Sequence, residues 1–145
     1  MSHFADLAAT KKIAIWPKPL WRLTEELRYY SDLVGDWIVV PAGFVTDFAS
    51  VPRAPLLYLL AGGKADEAAI VHDYLYSTLR FSREMADKIF REAILAMNYS
   101  EALANAMYAA VRIGGESHYK LPNVEQDPEV QASMDAFSAA DLVAA

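Results

Sequence analysis

At 145 residues, 54% hydrophobic and 22% charged, the chain has the size and composition of one ordinary globular domain. It holds no cysteine, which excludes a disulfide framework, a thiol nucleophile and a Cys-ligated zinc site. A formal net charge of −6 without any basic run argues against broad contact with nucleic acid, whose affinity rests on clustered Lys and Arg.

The first twelve residues lack the basic start and apolar stretch of a secretory signal. The longest apolar runs are broken by Pro, Gly or charge well short of a membrane span. Residues 1–10 are expected to form a short helix or a loose arm, because Phe4, Leu7 and Ala8 recur at helical spacing. Residues 11–16 read as a short strand, followed by an extended connector at Pro17 and Pro19, so that residues 1–19 precede a domain spanning 20–119. Over 20–31 two periods compete. Trp21, Leu23, Leu27 and Tyr29 fit one face of a strand, while Leu20, Leu23, Thr24 and Leu27 fit a helix; the aromatic content favours the strand. A polar turn at 31–36 and the β-rich 37–40 complete a hairpin, and residues 44–46 resume as a short third strand after Pro41 and Gly43.

Beyond Pro52 and Pro55 the pattern turns helical. Leu56, Leu57, Leu59 and Leu60 form an apolar turn ended by Gly62 and Gly63. A helix follows over about 64–78, with Asp66 and Glu67 near its positive end. Ser82 is the expected N-cap of a helix over 83–98, whose apolar face carries Met85, Ile89, Ala93 and Ala96, widened by Phe90, Ile94 and Met97. Ser100 caps the next helix, with Leu103, Met107, Ala110 and Val111 as its stripe and Gly114-Gly115 as its stop. The segment 120–145 is an acidic tail: from Leu121 onward it carries five acidic residues and no basic one, with a weak helix near 128–143, and it is expected to dock on the domain, a second copy or a partner. The expected fold class is α+β, a small antiparallel sheet over 11–46 packed against about three helices over 56–113.

Residues 43–76 concentrate Asp47, Ser50, Arg53, His72 and Asp73. On the helix, Ala69, His72, Asp73 and Tyr76 share one face, which the 47–53 loop, held between prolines, could approach. Two readings follow. In one, Asp47, Ser50, His72 and Asp73 are catalytic, with His72 as a base oriented by a carboxylate, or His72, Asp73 and Asp47 ligate a divalent metal, and Ser50 is a nucleophile or a phosphate ligand. In the other, Asp47 and Ser50 close a turn on their own backbone, and His72 with Asp73 are buried groups that tie the loop to the helix. His118 could return to the patch as a second imidazole or lie in a surface loop after the helix end; His3 sits in the arm. Asp87 and Arg91 read as an exposed ion pair one turn apart, and Tyr108 with Arg112 as a stack on one helical face. No G-x-G-x-x-G, Walker loop, H-E-x-x-H or G-x-S-x-G occurs.

Four motifs, V-P-A-G-F-V-T-D-F-A-S-V-P-R (40–53), H-D-Y-L-Y (72–76), A-D-K-I-F (86–90) followed by Ala96-Met97, and M-Y-A-A-V-R-I-G-G (107–115), together resemble the DUF1353 family of small bacteriophage and prophage proteins. The resemblance covers roughly 20–119 and implies a phage origin; it carries Asp47, Ser50, His72 and Asp73 over without roles. Where such proteins often place an aromatic after the last glycine, this chain has Glu116-Ser117-His118-Tyr119. The resulting expectation is a structural or accessory protein of a virion, tail or baseplate, or of its assembly, found in the virion or the host cytoplasm. It would act through contacts with other phage proteins or with its own copies at the termini, without nucleic acid, membrane span or cofactor. The alternative is a small hydrolase, metal-dependent if a divalent ion is held, that uses His72 with Asp47 and Asp73 on the host envelope.

Overall fold

The computed structural model describes residues 1–6, 8–14, 20–46, 66–115 and 119. Six strands precede three helices: β1 (His3–Phe4), β2 (Thr10–Ala14), β3 (Leu20–Leu23), β4 (Leu27–Ser31), β5 (Asp36–Val40), β6 (Val45–Thr46), α1 (Asp66–Thr78), α2 (Arg83–Ala96) and α3 (Glu101–Gly114). The α+β class is as the sequence indicates. The strands form two three-stranded antiparallel sheets rather than one, in the orders β1-β4-β5 and β2-β3-β6.

The division into two sheets follows from a break the periodicity did not show. The 20–31 stretch is two strands separated at Thr24, Glu25 and Glu26, all exposed. Before the break Leu20, Arg22 and Leu23 are buried and Trp21 is half-buried; after it Leu27, Tyr29 and Ser31 alternate inward. Two adjacent acidic residues have low strand propensity and favour solvent, so the chain turns there and β3 and β4 join different partners. The third strand at Val45 and Thr46 pairs with β3, not with the hairpin.

The expected hairpin forms, with Leu27 against Val40 through Ser31 against Asp36, around a turn whose Gly35 holds φ +67°. The N-terminal segment is neither helix nor arm: His3 and Phe4 pair with Tyr30 and Tyr29 at the sheet edge. Ser2 and Asp32 exchange hydrogen bonds of 2.9 Å that fasten it there, which a two-residue strand needs.

α2 and α3 begin at the expected caps. The Ser82 hydroxyl accepts from the Met85 N–H and the Ser100 hydroxyl from the Leu103 N–H, both at 3.1 Å. α1 and α2 are followed by Leu79 and Asn98, both in the left-handed region at φ +52° and +65°, a frequent way for a helix to stop. One core joins both halves. Leu23, Leu27, Tyr29, Ile38, Val40 and Phe44 from the strands pack with Ile70, Val71 and Leu75 of α1, Ile89, Phe90 and Ile94 of α2, and Met107 and Val111 of α3. Each such large side chain contributes about 1.5–3 kcal/mol on leaving water. Glu92 of α2 clamps the hairpin to the helices, accepting from the Tyr29 hydroxyl at 2.7 Å and the Leu33 N–H at 3.0 Å.

Candidate functional site

His72 and Tyr76 lie one turn apart on α1 and so project from one face. That face meets α2 at Asp87. Asp87 Oδ1 accepts from His72 Nε2 at 2.7 Å and from the Tyr76 hydroxyl at 2.5 Å, while its Oδ2 accepts from Arg112 Nη1 of α3 at 2.8 Å. One carboxylate therefore joins three helices. His72 and Asp87 are 0% exposed and Tyr76 only 3%. The His72 ring packs on Tyr76 and Phe90, with centroids at 4.1 and 4.7 Å.

The last turn of α3 closes the cluster. Arg83 donates from Nη2 to the carbonyls of Val111 and Arg112, satisfying terminal helix acceptors and fixing the backbone from which the Arg112 side chain reaches Asp87. Gly115 then passes directly over Tyr76: a Cβ there would lie 2.6 Å from the Tyr76 hydroxyl and 2.5 Å from the Val111 carbonyl. Tyr119 sets its ring edge-on against Tyr76 at 5.3 Å and donates to the Phe81 carbonyl at 2.9 Å.

Burial alone would raise the Asp87 pKa, but the bonds from His72 and Tyr76, the charge of His72 when protonated, and the bond from Arg112 more than offset it and hold it below the ordinary carboxylate value. Asp87 is thus ionised and can only accept, so His72 Nε2 carries the hydrogen it donates. The Tyr76 phenol is pushed up by burial and then by the adjacent Asp87 charge, and remains a donor.

Asp73, next to His72 in sequence, points elsewhere. Its Oδ2 accepts a hydrogen bond from the Thr46 hydroxyl at the end of β6. Consecutive helical residues diverge by about 100°, and among the described residues His72 bonds α1 to α2 while Asp73 bonds α1 to the strand that leads toward residue 47. Asp47, Ser50, Arg53 and His118 lie outside the described residues. Among the described residues no group of three or more His, Asp or Glu side chains is placed to hold a metal ion. No helix among them is long and apolar enough to cross a membrane.

Two expectations are corrected here. Asp87 is not paired with Arg91 on an exposed face; it is the buried centre of the cluster, and Arg91 instead donates to Asn105 at 2.7 Å and lies 3.5 Å from Glu101. Arg112 binds Asp87 instead of being held in a stack with Tyr108. The sequence did carry a signal for Asp87. It stands three and seven residues before Phe90 and Ile94, inside the apolar arc of α2, where a carboxylate demands buried donors.

A family model described as a protein of unknown function, DUF1353, matches residues 21–111. The chain belongs to the DUF1353 family. The matched segment runs from β3 through most of α3 and includes Thr46, His72, Asp73, Tyr76 and Asp87; Arg112 lies one residue beyond it. Comparison with curated proteins and with solved structures gives no match. For the DUF1353 chain, the H-D-Y-L-Y and A-D-K-I-F motifs thus supply the two sides of one buried bond, and the M-Y-A-A-V-R-I-G-G motif supplies the arginine and the glycine that complete it.

Proposed function

We propose that this DUF1353 protein is a bacteriophage structural or accessory protein, belonging to a virion, its tail or its assembly, that acts through protein–protein contacts. In this reading the Asp87 cluster is a lock that fixes the three helices in one arrangement. The observation that carries it is the engagement of the polar groups with one another: His72 and Asp87 are fully buried, and Asp87 takes donors from His72, Tyr76 and Arg112. A general base must come within hydrogen-bond reach of a substrate proton, and the His72 side chain is fully buried. Buried polar groups bonded to one another across three helices rigidify a core. The phage setting rests on the motif resemblance.

The second reading, a hydrolase using His72 with Asp47 and Asp73, keeps one feature in its favour: Asp87 orients the His72 ring as a carboxylate orients a catalytic imidazole. Complementation separates the two. In a phage lacking this gene, a lock requires that His72→Gln, whose amide can still donate to Asp87, restores complete particles, while His72→Ala yields incomplete particles or none. Complete particles with both variants, each failing to open the host envelope, would overturn the lock in favour of the hydrolase.

A further inference from the structure

The two sheets expose their edges very differently. β1 and β6 are two residues long. The outer strand β2 carries exposed Lys11 and Lys12 and a register shift between Lys12 and Ala14, the charge and bulge that commonly keep an edge from pairing with another chain. Among the described residues β5 has none of these protections beyond Asp36, which starts the strand and holds the Trp37 N–H. It is five residues long, reads D-W-I-V-V, and sets Trp37 and Val39 outward at 39% and 38% exposure while Ile38 and Val40 are buried.

The direction of its backbone groups follows from two hydrogen bonds. The Arg28 carbonyl accepts from the Ala5 N–H on the β1 side, so the alternate residues Leu27, Tyr29 and Ser31 face β5 and bond Val40, Ile38 and Asp36. The Trp37 N–H, in agreement, is bonded to the Asp36 carboxylate at 2.7 Å. Trp37 and Val39 therefore turn their backbone groups to the edge that no other described strand covers.

We infer that β5 is a self-association edge, pairing antiparallel with β5 of a second copy about a two-fold axis at Ile38. The occupant is set by self-complementarity. In that register each Trp37 lies opposite a Val39, the two residues with outward backbone groups; the Val39 N–H bonds the Trp37 carbonyl directly, and the Trp37 N–H exchanges the Asp36 carboxylate for the Val39 carbonyl. The same register puts the Trp37 side chain across from the valine on the outer face, a favourable aromatic and β-branched pair. Trp37 is already held in place by the rings of His3 and Tyr30, with centroids at 5.4 and 5.5 Å, and so loses little freedom on pairing. The pairing rests on the sheet edges alone and does not depend on where the protein acts.

The full-length chain should sediment as a concentration-dependent dimer. Val39→Lys, on the solvent face, and Val39→Pro, which removes only an outward N–H, should each sediment as monomers with an unchanged circular dichroism spectrum. The absence of native cysteine allows the register to be read directly: Trp37→Cys mixed with Val39→Cys should oxidise to a covalent heterodimer, while each variant alone stays uncrosslinked. A wild-type chain that remains monomeric up to its solubility limit, a dimer untouched by both Val39 variants, or a mixture that fails to crosslink would each overturn the inference.

Discussion

Two arginine–aspartate pairs in this protein have similar distances and opposite settings. On the sheet surface Arg28 grips Asp6 with two bonds, Nε to Oδ2 at 2.9 Å and Nη2 to Oδ1 at 3.1 Å, with the side chains 46% and 34% exposed. Between the helices Arg112 makes one bond of 2.8 Å to an Asp87 that is wholly buried. The surface pair has the better fork geometry, and in both the aspartate pKa is lowered, for Asp6 first by the bond from Arg28. What separates them is the alternative state. If Arg28 is lost, Asp6 returns to water; if a member of the helix cluster is lost, the remaining donors or charge stay in a place water does not reach.

The largest expected effect is therefore at Asp87. Asp87→Ala leaves His72, Tyr76 and Arg112 without their common acceptor and should cost about 3–5 kcal/mol in urea unfolding. A loss under about 1 kcal/mol would show that the cluster does not differ from a surface pair. Gly115→Ala comes next, at about 1–3 kcal/mol, because the methyl group must displace Tyr76 from Asp87 or shift the end of α3. Its backbone lies at an ordinary φ of −87°, so the cost is one of space, and it should shrink but not vanish if Tyr76 is first shortened to Phe, which removes the hydroxyl contact and leaves the Val111 carbonyl in the way.

Acid sharpens the same comparison. Since the fold holds Asp87 below the ordinary carboxylate value of about 4, the unfolded chain takes up that proton first as pH falls. The contribution of Asp87 is complete above about pH 4 and is lost below it, as pH falls through the folded value. Stability measured against pH should lose part of this acid slope in Asp87→Asn, and an unchanged slope would remove Asp87 from the account. The smallest effect is expected at Arg28→Ala, which should leave the melting temperature unchanged within error in moderate salt; a clear drop would mean that the β1 to β4 contact depends on this pair.

Much of this was legible in the order of residues. Ser82 and Ser100 before apolar runs marked helix starts, and Gly114-Gly115 marked a helix end, because caps and stops depend on the few residues at each terminus. The hairpin was legible for the same reason, from a short polar turn at 31–36 before the β-rich 37–40, although the strand expected over 20–31 pairs with β5 only from Leu27. The site was only half legible. The importance of His72 could be read from residue types clustered in sequence, but its partner Asp87 stands fifteen residues away on another helix and was mistaken for a surface charge because Arg91 follows it at ion-pair spacing.

What the sequence determined by itself was local: the α+β order of strands and helices beyond the N-terminal segment, where α2 and α3 start, and which faces are apolar. These follow from propensity, capping and periodicity within a few residues. Only the tertiary structure decided that the strands divide into two sheets, that His72 reaches α2 while Asp73 reaches β6, and that Asp87 is the joint of three helices. Those outcomes depend on which distant donors a buried carboxylate meets, and no spacing along the chain encodes a contact between elements whose meeting is fixed by the packing of the whole core.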